Sequence, residues 1–316
     1  MSTKIAINGF GRIGMLTAKR MLEKHPVLEL VAINEVNPVR NFVSNGARFF
    51  SETDPANLPW KELCIDIVLE CSGMFTEIDG AKKHLQAGAR KVIISAPSDS
   101  EEIPTYLLGV NEEKYNAKKD DIISMGSCTT NAVAPMAKIL DKHFGIKYGF
   151  VNTVHSYTNS QNKLYPNWRI DSASKLAIIP STTGATKTVE KCLPQLKGKL
   201  NGLSLRVPTE TVSLAELVFV AKKKATAEQV NEALAKGTEC LERFKALSAL
   251  CGILKVESKK LISSDLKGSE YSSIVDASLT QSFGNLIKVF AWYDNEYGYA
   301  CRLAEMTELV GKQLSC

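Results

Sequence analysis

Two residues in this sequence have the type and placement to do chemistry. Cys128 lies in Met125-Gly126-Ser127-Cys128-Thr129-Thr130-Asn131, between a short apolar strand at 121–124 and a helical stretch running to His143. A thiol at a helix N-terminus is favoured as thiolate by the unpaired N–H groups and the dipole there, and a thiolate is a nucleophile. His155, in Thr153-Val154-His155-Ser156, closes a strand-like run. Its intrinsic pKa, close to neutrality, suits taking a proton from a thiol or hydroxyl and giving it back.

A third constellation binds rather than reacts. Ile7-Asn8-Gly9-Phe10-Gly11-Arg12-Ile13-Gly14 places G-x-G-x-x-G between a strand and a helix. Gly9 permits the tight turn, Gly11 lets backbone approach a pyrophosphate, and Gly14 lets helix pack on strand. The helix N-terminus adds N–H groups facing the anion. Glu35 closes the next strand, where a carboxylate accepts hydrogen bonds from the adenosine ribose and repels a 2′-phosphate, favouring NAD over NADP. Arg12 has two open readings, a pyrophosphate contact or a cover for the helix.

The elements that must carry these groups follow from periodicity. β-branched runs at 5–7, 28–33, 65–69 and 92–94 alternate with helical spacing at 13–22, 76–86 and after Cys128. Such alternation predicts βαβ units on a parallel sheet. After Lys147 the strands lengthen and alternate (149–157, 202–207, 212–220), with helices expected at 183–192 and 226–240. That pattern predicts a mostly antiparallel sheet with one face covered. The fold class is therefore α/β: a Rossmann-type parallel-sheet domain plus an α+β catalytic domain. The expected division is 1–127 for dinucleotide binding, completed by a C-terminal helix at 298–316, and 128–297 for catalysis.

Composition narrows the class further. The 316 residues are 44% apolar and 23% charged, as in an ordinary globular protein of about two domains. A net charge of +5 spread over this length reads as solubility, so no nucleic-acid partner is expected. No window approaches the ~18 apolar residues of a membrane span. The N-terminus enters an apolar strand at once, leaving no room for a signal peptide, so a cytoplasmic location is expected. Eight cysteines show no C-x-x-C pair and no zinc spacing. They read as reduced thiols, and no metal is expected.

Ser127-Cys128-Thr129-Thr130-Asn131 resembles the active-site motif of the phosphorylating glyceraldehyde-3-phosphate dehydrogenases, and the likeness runs from end to end. It includes Ile7 to Gly14, Asp54-Pro55-Ala56-Asn57-Leu58-Pro59-Trp60, Val154 to Asn159, Ile178 to Ala185, Arg206-Val207-Pro208-Thr209 and Trp292 to Tyr299. The resemblance implies that Cys128 attacks an aldehyde, that His155 takes the hydroxyl proton as hydride leaves to NAD, and that inorganic phosphate cleaves the thioester. It further implies substrate-phosphate ligands Thr158, Arg169 and Arg206, and an inorganic-phosphate site at Ser127, Thr129, Thr183 and Gly184. Cofactor contacts are implied at Gly9, Gly11, Arg12, Ile13, Gly14, Glu35, Ser95, Asn295 and Tyr299, with Asn295 holding the nicotinamide carboxamide. Glyceraldehyde 3-phosphate, phosphate and a homotetramer are the implied partners.

The sequence departs from that pattern in places. From Val36 it runs almost directly to Phe49, so a block of the cofactor domain is absent, and Thr53 stands where an arginine is usual. The stretch from Ser160 to Ala177 is short, and Ser172 replaces a second arginine. Met125 replaces an asparagine, and Ala132 a second cysteine, which rules out a local disulfide to Cys128. Two other readings are an erythrose-4-phosphate dehydrogenase and a non-catalytic binding protein. The Thr-Thr-Gly and Tyr-Thr-Asn runs weigh against the first, and the joint presence of Cys128, His155, Thr158, Thr183, Arg206 and Asn295 against the second.

Overall fold

The structure is a computed structural model that describes residues 2–37, 46–157, 177–242 and 253–314. The chain divides into two compact units, Met1–Ser127 with Tyr299–Cys316, and Cys128–Gly298.

In the first unit six strands form one wholly parallel sheet: β1 (Thr3–Asn8), β2 (Leu28–Asn34), β3 (Arg48–Phe50), β4 (Ile67–Glu70), β5 (Lys91–Ile94) and β6 (Ile122–Ser124). Their order is β3-β2-β1-β4-β5-β6. This is the doubly wound Rossmann order, which reverses between β1 and β4. The central strands are mostly apolar because both faces are covered, while the edge strand β3 leaves Arg48 and Phe49 exposed. Trp60, Ile65, Val68, Ala6 and Ala32 pack on one side, and Val92, Ile94, Ile103, Ile122 and Ala81 form a second cluster. Helix α1 (Arg12–Lys24) turns Gly14, Thr17, Ala18 and Met21 inward, and α2 (Ile78–Gln86) buries Ala81 and His84. α2 begins two residues after the expected 76, where Glu77 takes up the N-cap backbone position.

The second unit is built on an eight-stranded sheet. Its strands are β7 (Ile146–Ser156), β8 (Ile179–Thr182), β9 (Leu200–Val207), β10 (Ser213–Ala221), β11 (Leu254–Glu257), β12 (Ser273–Asp276), β13 (Gln281–Phe283) and β14 (Leu286–Tyr293). The main path runs β11-β12-β14-β10-β7-β9-β8, with β13 on β14. Only β11–β12 and β7–β9 are parallel; the other pairs are antiparallel. Helix α3 (Cys128–Phe144) lies on β7, β10, β12 and β14, with α4 (Ala185–Cys192) and α5 (Ala227–Glu242) beside it. Under α3 the strands present Val151, Ala215, Leu217, Phe219, Val289 and Ala291, all fully buried. The other face keeps Tyr148, Phe150, Val154 and Leu203 exposed. Strands β8, β11, β12, β13 and β14 are additions to the expected set; the Ser-Thr-rich β8 lacks an apolar alternation, and pairing with β9 holds it. The last helix, α6 (Tyr297–Leu314), begins at the end of the second unit and runs through the first, where Gly311 abuts the Thr3 side chain.

Candidate active site

Strand β7 sits between β10 and β9, and its C-terminal end delivers His155, which is 4% exposed. The parallel β7–β9 ladder puts Arg206 in register with His155, so both side chains leave the same face of the sheet. Helix α3 opens with Cys128, whose Sγ lies 3.5 Å from His155 Nε2. His155 Nδ1 is 2.8 Å from the Ser156 carbonyl oxygen. A carbonyl only accepts, so Nδ1 carries the proton and Nε2 offers its lone pair to the thiol.

Burial pushes the Cys128 thiol above its ordinary pKa. The Arg206 guanidinium, hydrogen bonds from the Thr129 side chain and backbone, and the Cys128 N–H act in the opposite direction without reversing it. Desolvation is thus the largest influence on the thiol. The 3.5 Å approach gives the thiol proton a path to His155 Nε2.

The neighbours of this pair are specific. Thr129 Oγ1 and Tyr293 Oη lie 2.9 Å apart, and the Tyr293 ring meets His155 edge-on at 6.0 Å. Burial, and then the nearby Cys128 thiolate form, hold the Tyr293 hydroxyl strongly protonated. Arg206 Nε and Nη1 are buried and have no hydrogen-bond partner among the described residues, and neither does Thr209 Oγ1. Burial lowers the pKa of Arg206 and the charge of Cys128 raises it. Unspent donors on a buried cation beside a nucleophile fit an anionic oxygen. Thr183 and Gly184 lead into α4 from β8, whose Ile179 pairs with Arg206. Thr183 Oγ1 accepts from Ala185 N at 3.2 Å, and Gly184 has open space where a Cβ would point. Thr158 and Arg169 lie outside the described residues.

Asn295, 5% exposed, is clamped by its oxygen. Ser156 Oγ and Ser213 Oγ both donate to Asn295 Oδ1, at 2.9 and 3.0 Å. Ser213 Oγ in turn accepts the Ser156 N–H at 3.1 Å. The preceding Val212 has φ 70°. A β-branched residue in the left-handed region costs on the order of 1–3 kcal/mol and recurs at functional sites.

Two glycines of the first unit leave no room for a side chain. Gly9 has φ 90°, and a Cβ there would stand 2.3 Å from Ser72 N. A Cβ on Gly14 would meet Gly9 O at 2.3 Å, so helix and loop are in contact. A Cβ on Gly11 would enter open space, at the N-cap of α1, which no side chain caps. That cradle fits a pyrophosphate. Arg12 and Ile13 beside it are half-buried. Glu35 Oε2 accepts Phe10 N–H at 2.6 Å, and Oε1 accepts from Asn37 N and Nδ2 at 2.9 and 3.0 Å. Ser95 N donates to Glu70 O at the end of β4. Tyr299 Oη donates to Gly126 O at 2.9 Å, and Ser127 follows, half-buried.

Comparison with known proteins decides the family. A family model described as "Glyceraldehyde 3-phosphate dehydrogenase, C-terminal domain" matches residues 127–295. Glyceraldehyde-3-phosphate dehydrogenase of Geobacillus stearothermophilus is 42% identical, over 99% of this chain and 99% of its own. The chain belongs to the glyceraldehyde-3-phosphate dehydrogenase family. Glyceraldehyde-3-phosphate dehydrogenase 1 of Bacillus subtilis is also 42% identical, with 99% of each chain covered. The chloroplastic glyceraldehyde-3-phosphate dehydrogenase B of Pisum sativum is 43% identical over 98% of this chain and 74% of its own. The Geobacillus match extends over 343 positions, more than the 316 residues here, so that relative carries stretches without a counterpart in this chain.

For this member of the glyceraldehyde-3-phosphate dehydrogenase family, sequence reasoning passed over Ser156 and Ser213 and left Tyr293 as one aromatic in a cluster. Ser156 is adjacent to His155, a signal that was legible. Ser213 sits in an alternating strand and looks like filler until the Asn295 contact is seen. Among the described residues no group of three or more His, Cys, Asp or Glu could hold a metal ion, and no helix is long and apolar enough to cross a membrane.

Proposed function

We propose that this chain oxidises and phosphorylates glyceraldehyde 3-phosphate to 1,3-bisphosphoglycerate through a thioester on Cys128. The observation that carries this reading is the Cys128 Sγ to His155 Nε2 approach of 3.5 Å beside the unspent donors of Arg206. His155 Nε2 takes the thiol proton, the sulfur attacks the aldehyde carbon, and Nε2 returns the proton to the carbonyl oxygen to give a hemithioacetal. Nε2 then takes the hemithioacetal hydroxyl proton while the carbon loses hydride. Bound NAD supplies the acceptor for that hydride. Phosphate attacks the resulting thioester carbon, the C–S bond breaks, and the thiol is restored as acyl phosphate leaves.

Arg206, with Thr158 and Arg169, is assigned to the substrate phosphate; Ser127, Thr129, Thr183 and Gly184 are assigned to the attacking phosphate. Gly9, Gly11, Arg12, Ile13 and Gly14 would hold the pyrophosphate, and Ser95, Asn295 and Tyr299 the nicotinamide end. A nicotinamide dinucleotide follows from the family; NAD rather than NADP is supported by Glu35, whose carboxylate repels a 2′-phosphate. The units 1–127 with 298–316 and 128–297 are read as cofactor and catalytic domains. The uncovered sheet face carrying Tyr148, Phe150, Val154 and Leu203 supports a homotetramer. A cytoplasmic enzyme acting on small molecules, with no membrane or nucleic-acid partner, completes the reading.

The test is nicotinamide reduction followed by near-ultraviolet absorbance, with glyceraldehyde 3-phosphate, with and without phosphate, comparing NAD, NADP and Cys128→Ser. Reduction of NAD that needs phosphate and is lost in the variant is expected. A folded protein that turns over neither cofactor would overturn the reading.

A further inference from the structure

Asn295 does not stand alone: the residue before it is a buried carboxylate that the steps above leave unused. Asp294 is 3% exposed and accepts four hydrogen bonds from three separate stretches of the second unit. Oδ1 takes the Thr211 hydroxyl and the N–H groups of Glu296 and Tyr297, each at 3.0 Å. Oδ2 takes the Gly268 N–H at 2.8 Å. The bonds from Glu296 and Tyr297 cap the start of α6, where free N–H groups and the helix dipole favour a negative charge. The bonds from Thr211 and Gly268 tie that start to the loop between β9 and β10 and to the stretch before β12. An exposed ion pair, Lys267 with Glu210 at 3.2 Å, joins the same two loops from outside and adds little there.

Strand β10 pairs with β14 from Ser213, opposite Tyr293. Continued further, an antiparallel ladder would set Val212 opposite Asp294 and Thr211 opposite Asn295. The chain instead turns left-handed at Val212, φ 70°, whose side chain is buried. Thr211 then meets Asp294, and Ser213 meets Asn295. These two rungs flank a residue whose backbone conformation is unfavourable for a β-branched side chain, and they hold it there. The serines decide which way the Asn295 amide faces; the Thr211–Asp294 rung decides where residue 295 stands. With Oδ1 held, Asn295 Nδ2 makes no hydrogen bond among the described residues, which leaves its two N–H groups to give to an acceptor on a ligand.

We propose that Asp294, together with Thr211, is a positioning residue for Asn295 and sets the reach of its amide toward the carboxamide of the nicotinamide. This rests on the reading of Asn295 given above and adds the pair that places it. A carboxylate that only capped α6 would do so whether or not residue 211 carried a hydroxyl, so the hydroxyl separates positioning from capping.

The experiment is calorimetric titration of the full chain with NAD and, separately, with ADP-ribose, which lacks only the nicotinamide ring. Thr211→Val keeps the shape of the side chain and both capping bonds and removes the rung. Its Kd for NAD is expected to rise about three- to tenfold, and that for ADP-ribose to stay within about twofold. Thr211→Ser, which restores the hydroxyl, should return NAD binding to the wild-type value. Asp294→Asn should lower the melting temperature as well, since it weakens the cap, and should still weaken NAD more than ADP-ribose. Unchanged NAD binding in Thr211→Val, or equal weakening of both ligands, would overturn the proposal. If Thr211→Val does not fold, Thr211→Ala set against Thr211→Ser decides by the same pair of titrations. A wild-type chain that binds NAD no more tightly than ADP-ribose would remove the reading of Asn295 itself and the proposal with it, a result seen before any variant is made.

Discussion

The clamp on Asn295 is open to a quantitative test because its three members are not equivalent. Ser156 Oγ makes one hydrogen bond of the set, to Asn295 Oδ1. Ser213 Oγ makes two, donating to Asn295 Oδ1 and accepting the Ser156 N–H. In Ser156→Ala the Asn295 oxygen keeps its second donor, so the loss is one neutral hydrogen bond, about 1 kcal/mol. In Ser213→Ala a buried backbone N–H is also left unpaired, which raises the cost to about 1–3 kcal/mol. Either single variant still anchors the oxygen, so the carboxamide keeps its orientation. With both hydroxyls gone nothing distinguishes the two ends of the amide at that position, and the flipped form becomes accessible. The free-energy cost for NAD binding should therefore be greater in the double variant than the two single costs added together. The assay is a double-mutant cycle on the NAD Kd by calorimetry, with hydride stereospecificity followed on deuterated cofactor and melting temperature as control. Ser213→Ala should melt lower than Ser156→Ala, and only the double variant should transfer hydride to both ring faces. Strict additivity with unchanged stereospecificity would show that another contact orients Asn295, and would sink this reasoning.

Four further outcomes are expected. His155→Asn should lower kcat by about 10²–10⁴ and flatten the pH profile near neutrality while leaving the NAD Kd unchanged, as measured by steady-state kinetics and titration. Arg206→Ala should raise the KM for glyceraldehyde 3-phosphate and shift alkylation of Cys128 to still higher pH, because Arg206 is the leading influence opposing the effect of burial. The sign follows for stability too: the folded thiol holds its proton more tightly than an unfolded one, so stability from this group is complete below about pH 8.5 and is lost as pH climbs through the folded value. Glu308 behaves in the opposite sense. Burial alone would raise its carboxyl, yet Lys312 and His25, each 2.6 Å away, together hold it below the usual carboxylate range. Glu308→Gln should therefore flatten the loss of stability that the wild type shows below about pH 4.3, read from acid unfolding curves. Phe150→Glu, on the exposed face of the second sheet, should reduce the assembled mass in analytical ultracentrifugation without lowering helix content by circular dichroism.

Much of this was legible in the sequence because local periodicity and tertiary outcome agree. Strands β1, β2, β4 and β5 carry mostly apolar runs, and G-x-G-x-x-G falls between β1 and α1, so these could be read directly, whereas β3, with exposed Arg48 and Phe49, could not. Cys128 and His155 could be read as types, and the register that puts Arg206 beside His155 could not. That register depends on a parallel ladder between strands separated by β8 and α4, which no short-range pattern encodes. A helix start at Cys128 is visible in sequence, whereas the desolvation that raises the thiol comes from packing. Glu70 and His84 were invisible as a pair because their contact joins β4 to α2, which no short-range pattern encodes.

The strand order of the second unit also governs when reactivity arises during synthesis. Cys128 and its helix are made early, but the thiol's supporting contacts come from far downstream: Thr129 meets Tyr293 across 164 residues, and Ser156 meets Asn295 across 139. The strand bearing His155 cannot take its place until β9 and β10 have emerged to flank it. A ribosome-bound chain therefore carries its nucleophile through most of translation as an ordinary cysteine. A chain stalled before the segment around Asn295 has left the exit tunnel should alkylate at Cys128 with the pH dependence of an ordinary exposed thiol, and the dependence should move to higher pH once folding buries it.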